Sequence, residues 1–169
     1  MSQADIIETT QYLTFKLDDE VFALDISKVR EVLDFTTVTK VPRTPEFMRG
    51  VINLRGSVVP VVDLRLKFGM AKTEKTLNTC IIIVEVTVDE ETAILGALAD
   101  SVQEVMDLGP EHIEPAPKIG TRLNTEFIKG MGKRNNYFII ILNIDKVFSS
   151  GDLSRVQASQ SGMTGKEEL

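Results

Sequence analysis

Apolar positions along this chain fall in short alternating runs broken by acidic or glycine-containing turns. Tyr12–Leu17 alternates, meets Asp18-Asp19-Glu20, and resumes over Val21–Ile26. A period of two on either side of a turn predicts a β-hairpin. Ile81–Val88, Asp89-Glu90-Glu91-Thr92 and Ala93–Ala99 repeat the arrangement. Val58–Leu64 and Tyr137–Ile144 are Val- and Ile-rich runs of strand length, and Pro60 predicts that the first of them lies at a sheet edge or a bulge. Both termini are polar. The stretch Ser149–Leu169 reads as a flexible tail or a short helix over Gly151–Ser159, with Leu153 and Val156 on one face.

The order of these runs repeats. Val29-Arg30-Glu31-Val32-Leu33-Asp34-Phe35 resembles Val102-Gln103-Glu104-Val105-Met106-Asp107-Leu108 at an offset of 73 residues (29 to 102), which Pro42 and Pro115 keep. Glu46-Phe47-Met48-Arg49-Gly50-Val51 resembles Glu126-Phe127-Ile128-Lys129-Gly130-Met131 at an offset of 80 (46 to 126). The same 80 aligns Val61-Val62-Asp63-Leu64 with Ile141-Leu142-Asn143-Ile144, and Phe68 with Phe148. The second copy therefore carries an insertion between Pro115 and Glu126. Each copy reads as a hairpin, a strand carrying Val-x-Glu-Val, a proline-containing loop, one helical turn, a strand and a final Phe. In the first copy Thr44 suits the N-cap of that turn, Pro45 its first position and Gly50 the left-handed residue past its end. Five short strands per copy, without long helices, predict a small barrel used twice. A unit of some 70 residues buries little apolar surface alone, so the copies are expected to share a core.

Composition narrows the function more than the fold. The net charge of −6 argues against a broad phosphate-binding surface and hence against a nucleic-acid partner. The one cysteine, Cys80, excludes an internal disulfide and reads as a small hydrophobe heading the run Cys80–Val84. An acidic residue by position five argues against a signal peptide. The apolar runs are far shorter than the roughly 20 residues that span a bilayer. A reducing cytoplasm is the expected compartment.

Candidate chemistry is sparse. The one histidine, His112, stands in Gly109-Pro110-Glu111-His112 with no second ligand type beside it. Asp18-Asp19-Glu20 and Asp89-Glu90-Glu91 read as solvated turns rather than acid–base pairs. Gly130-Met131-Gly132-Lys133 lacks the spacing of a phosphate loop. Elimination favours binding over catalysis, with no cofactor and no metal. Arg55, in Asn53-Leu54-Arg55-Gly56, reads either as an interface anchor or as a loop arginine paired with a carboxylate such as Glu31.

Tyr12–Phe148, 137 of the 169 residues, resembles the CheW family of bacterial chemotaxis coupling proteins. The resemblance is carried by Tyr12–Phe15, Phe22-Ala23-Leu24-Asp25-Ile26 and Val29-Arg30-Glu31-Val32. It continues through the long string Pro45–Gly56, Val59–Leu64, Asp100–Val105 and Ile113-Glu114-Pro115-Ala116-Pro117.

That resemblance implies a mainly β fold of two intertwined five-stranded SH3-like β-barrel subdomains sharing a hydrophobic core, with short helices. The expected divisions are an N-terminal tail over 1–11, subdomains over 12–78 and 79–148, and a tail over 149–169. It implies a non-catalytic scaffold, monomeric when free, that bridges transmembrane chemoreceptors and the regulatory domain of the histidine kinase CheA. Such a scaffold is cytoplasmic and recruited to membrane-associated receptor arrays without inserting in the bilayer. Carried onto this sequence, receptor contacts fall on Val29, Glu31, Arg55, Val102 and Val105. Kinase contacts fall on Val38 and Gly50 in the first copy and on Glu114 and Ile119 in the second. Glu114 stands where some members of the family carry a basic residue. Two alternatives compete with it: a CheW-like module of a larger signalling protein (a kinase regulatory region or a receiver-fused adaptor), which the gene length separates, and a small-molecule enzyme on a β-barrel, which tight metabolite binding would reveal.

Overall fold

The alternating runs become strands where they were expected. A computed structural model of the protein describes residues 9–116, 125–149 and 151–153. It contains β1 (Thr10–Leu17), β2 (Glu20–Asp25), β3 (Val29–Asp34), β4 (Met48–Leu54), β5 (Ser57–Asp63), β6 (Cys80–Val88), β7 (Glu91–Ala99), β8 (Ser101–Leu108), β9 (Ile113–Glu114), β10 (Ile128–Arg134) and β11 (Tyr137–Leu142). Short helices at Leu64–Lys67 and Ile144–Val147 follow β5 and β11. The acidic segments are hairpin turns: Asp89 and Glu90 have φ of 51° and 68°, the left-handed pair that a tight two-residue hairpin needs.

Two sheets result, ordered β8-β1-β2-β11-β10-β9 and β3-β6-β7-β5-β4. The repeat maps one order onto the other, with β3 matching β8, β6 matching β1, β7 matching β2, β5 matching β11 and β4 matching β10. The sequence copies and the sheets do not coincide. Hairpin β1–β2 belongs to the first copy but sits between β8 and β11 of the second, and hairpin β6–β7 sits between β3 and β5 of the first. The copies have exchanged hairpins, which is the physical content of their intertwining.

Three apolar clusters follow. One lies between the sheets and takes Phe15, Phe22 and Leu24 from the first with Ile82, Val84 and Leu95 from the second. Tyr12, Met106, Leu108, Ile139 and Ile141 fill the first sheet's own curl. Ile52, Val61, Ile81, Ile83 and Leu98 fill the second's. Residues of β6 alternate between the shared cluster and the private one, so that strand is buried on both faces. This explains why Cys80–Val84 reads as a continuous apolar run. Phe15, Phe22 and Phe68 stack in series, with Phe127 tilted against Phe68, at centroid spacings of 5.8–5.9 Å, and bind residues of both copies into one core.

Two local expectations are corrected. Pro60 is not on an edge strand, because β5 lies between β7 and β4. It is tolerated because pairing with β7 begins only at Val61, so at Pro60 the strand has a ladder partner on the β4 side alone. The expected helical turn at Thr44–Gly50 is only a turn, closed by Met48 N–H donating to the Pro45 carbonyl at 3.0 Å. Met48–Gly50 already belongs to β4.

Gly50 is needed for a different reason than capping a helix. Its φ is +145°, and a Cβ there would lie 2.2 Å from the Thr39 carbonyl oxygen. Thr39 and Val51 exchange backbone hydrogen bonds of 2.8 Å across that contact. Gly50→Ala is therefore expected to cost about 2–4 kcal/mol of unfolding free energy in urea. Gly56→Ala, with φ +90° and nothing within 4 Å, should cost less because it adds dihedral strain alone.

Candidate functional site

The Val-x-Glu-Val segments owe their geometry to a pair of matching β-bulges. On β3, Val29 faces Val84 and Val32 faces Ile82, so three steps along β3 match two along β6. On β8, Val102 faces Phe15 and Val105 faces Leu13, again three steps against two. In a regular strand residues i and i+3 point to opposite faces, whereas one extra residue brings them to the same face. All four partners, Val84, Ile82, Phe15 and Leu13, belong to the shared core. By register, Val29, Val32, Val102 and Val105 therefore lie on the shared-core side of their strands. An unbroken strand would have turned half of them to the opposite face.

β3 and β8 are edge strands of their sheets. Val29 and Val102 are half-buried against the shared core, while Val32 and Val105 are 40% and 49% exposed. The two edges approach each other at one end. The Val102 backbone lies near enough to the Cys80 thiol to lower its pKa, and Cys80 is the ladder partner of Asp34 at the end of β3. Burial pushes the thiol pKa up, with the Val102 backbone opposing it, and Sγ donates to the Asn78 carbonyl at 3.2 Å. Cys80 is only partly buried, against the expectation of a core residue.

Glu31 and Arg55 lie on the other face of β3. Glu31 pairs in register with Ile83 of the second sheet's private core. Arg55, at φ 50° in the β4–β5 turn, reaches across the open side of that barrel and donates to both Glu31 carboxylate oxygens. The Arg55 hydrogen bond pulls the Glu31 pKa below its usual range, and Glu31 in turn raises that of Arg55. The attraction is thus fully present above the ordinary carboxylate pKa and is lost as pH falls through the depressed one. The second copy has Asn135 where the first has Arg55, with a matching φ of 54°. Only the first copy carries the ion pair.

Sequence reasoning placed Val29, Glu31, Arg55, Val102 and Val105 at one site. The structure sets the three valines on the shared-core side of the two edge strands and Glu31–Arg55 on the opposite face of β3. It adds Val32, which the spacing could have revealed, since Val-x-x-Val on one face of a strand demands a bulge. Of the residues assigned to a second partner, Val38 and Gly50 are neighbours, a Cβ on Gly50 lying 2.8 Å from Val38 Cγ1. Glu114 is exposed on β9, opposite Met131, and pairs with Lys133 at 3.1 Å. Its carbonyl stands against Gly130 as that of Thr39 stands against Gly50. In strand order these positions lie at the β4 and β9 ends, opposite the β3 and β8 ends, while the curl of the second sheet brings its β4–β5 turn back to β3 through Arg55. Ile119, and most of the insertion between Pro115 and Glu126, lie outside the described residues.

Elsewhere the sequence candidates resolve simply. His112 is exposed in a single turn at Pro110–His112, 3.7 Å from Glu111. Gly130–Lys133 is strand β10 and not a loop. After β11 the chain returns across the first copy: Lys67 pairs with Asp152 at 2.7 Å and sits 5.0 Å over the Phe47 ring. Ser149 and Asp152 cap each other's backbone N–H at 3.0 Å, and Leu153 is buried. The rest of the short helix expected to Ser159, including Val156, lies outside the described residues.

Comparison with known proteins agrees with this geometry. The family model described as a CheW-like domain matches residues 11–152. A chemotaxis protein CheW of Klebsiella aerogenes is 35% identical over 146 residues, covering 86% of this chain and 86% of that protein. One of Thermotoga maritima is 32% identical over 147 residues, covering 85% of this chain and 91% of that protein. The crystal structure of the scaffolding protein TtCheW from Thermoanaerobacter tengcongensis superposes with a TM-score of 0.74 at 36% identity. That alignment covers 86% of this chain and 91% of the other. With a family model spanning the exchanged-hairpin core and relatives matched over most of their length, this chain belongs to the CheW-like family.

Proposed function

We propose that this chain is a non-catalytic chemotaxis adaptor that couples chemoreceptors to the histidine kinase CheA. The observation that carries the reading is the same-face placement of Val29, Val32, Val102 and Val105 on two approaching edge strands. Apolar residues left exposed on such edges suit the apolar stripe of a helix laid between them. The helix is supplied by the cytoplasmic tip of a receptor, with the Glu31–Arg55 pair beside it to fix orientation. Val38 with Gly50, and Glu114 with Ile119, form separate contacts for the regulatory domain of CheA, so both partners bind at once. The chain works in the cytoplasm, monomeric when free, and is recruited to receptor arrays. Among the described residues no helix is long and apolar enough to cross a membrane. The Klebsiella and Thermotoga relatives are matched over most of their length, which favours a stand-alone adaptor over a module of a larger signalling protein.

The test is co-sedimentation with receptor signalling fragments and CheA, reading kinase activity with and without the protein. Kinase activity indifferent to its addition would end the proposal. Arg55→Ala and Glu31→Lys are each expected to abolish receptor-dependent kinase control with an unchanged circular dichroism spectrum. Normal receptor binding by both variants would remove these two residues from the site.

A further inference from the structure

The two bulges match in register and differ in what holds them. On β3 the residue across from the extra position is Ile83, which has no polar side-chain atom, and the fastenings there are exposed and ionic: Arg30, at the bulge itself, donates to Glu85 of β6, and Glu31 pairs with Arg55. Across from the β8 bulge the β1 residue is Thr14, at 1% exposure. Its hydroxyl donates to the Glu104 carbonyl at 2.8 Å and accepts from the Glu104 N–H at 3.1 Å. A side chain has thus taken the place of the ladder partner that β1 lacks between Leu13 and Phe15.

We propose that Thr14 is a positioning residue for partner recognition, its buried hydroxyl locking the β8 bulge that turns Val102 and Val105 to one face. The proposal rests on the groove reading above. A bulge is one residue away from a regular ladder, and a one-residue change in register reverses the facing of every side chain beyond it. Valine at position 14 keeps the volume and removes both hydrogen bonds. The Glu104 N–H and carbonyl then lose their partners, and nothing pins the extra residue between Val102 and Val105. One valine of the pair is free to exchange places with Gln103 or Glu104, which puts a polar side chain on the groove. Serine keeps the hydroxyl and keeps the lock. The consequence is asymmetric: the β8 half of the groove is held by a buried neutral contact, the β3 half by an exposed ionic one that salt screens.

The experiment compares full-length wild type with Thr14→Val, Thr14→Ser and Val105→Asp. The probes are a soluble chemoreceptor signalling fragment and the CheA regulatory domain, both encoded by the same genome. Thr14→Val is expected to weaken receptor-fragment binding about tenfold and to leave regulatory-domain binding within about twofold of wild type. Thr14→Ser should restore receptor binding. Wild-type receptor affinity in Thr14→Val, with binding lost in Val105→Asp, overturns the positioning role while the groove reading stands. Equal loss of both partners in Thr14→Val overturns it too, as general destabilisation. Wild-type binding by Val105→Asp overturns both readings. If Thr14→Val does not fold, amide hydrogen exchange on the wild type decides. The Glu104 amide should be protected like the β1–β8 ladder amides, and loop-like exchange there overturns the proposal.

Discussion

Asp63→Ala is expected to lower the unfolding free energy by about 3–5 kcal/mol. Asp63 is fully buried, and its carboxylate accepts four hydrogen bonds. Arg49 Nη1 donates at 3.0 Å, Thr73 N–H at 2.9 Å, Thr73 Oγ1 at 2.7 Å and Arg65 N–H at 3.0 Å. Alanine would leave the Arg49 guanidinium with only the Thr73 carbonyl, also at 3.0 Å. It would also strip the cap from the Leu64–Lys67 helix. The cost comes mainly from the charge left behind rather than from the bond removed, so Asp63→Ala combined with Arg49→Met should recover part of the loss. Urea unfolding of the single and double variants measures both. A loss under about 1 kcal/mol in Asp63→Ala would contradict the account. The matching position in the second copy, Asn143, makes no side-chain capping bond, and Asn143→Ala should be nearly silent.

Placing aspartate at both Val32 and Val105 is expected to give the largest functional effect, a loss of receptor-fragment affinity of about a hundredfold or more. Both side chains are substantially exposed in the free protein, so two added carboxylates should cost little stability. In a complex they would lose water against an apolar helix face without a partner charge. CheA regulatory-domain binding, assigned to the far ends of the strand orders, should stay near the wild-type value. Titration calorimetry with each partner separates the outcomes. Equal weakening of both partners would mean that one surface serves the two.

Much of the architecture was legible because period-two alternation and acidic turns are local signals. The two offsets exposed the duplication without any structural knowledge. The exchange of hairpins was not legible, since either copy's hairpin satisfies the same pattern and only packing selects the partner. Pro60 and Thr44–Gly50 were misread for one reason: a proline or a glycine announces unusual backbone but not which kind. Gly50 answers to a close carbonyl and Pro60 to a ladder that starts one residue late. At the candidate site the sequence offered Val29, Val102 and Val105 and left out Val32, which shares their face. A bulge adds one residue against a partner strand, and the identity of that strand is a tertiary fact.

The exchanged hairpins also set a schedule for synthesis. A chain emerging from the ribosome can complete the second sheet once β7 has appeared at Ala99, because β3 to β7 are all present by then. The first sheet must wait for β11, which ends at Leu142. Hairpin β1–β2 emerges first and is fully paired last, holding Phe15 and Phe22 without a finished sheet while some 43 further residues (99 to 142) are made. At 5–20 residues per second that interval is roughly 2–9 s. The oldest part of the nascent chain is the part most exposed to wrong partners, and an early docking of its aromatic face onto the finished second sheet would shorten that exposure.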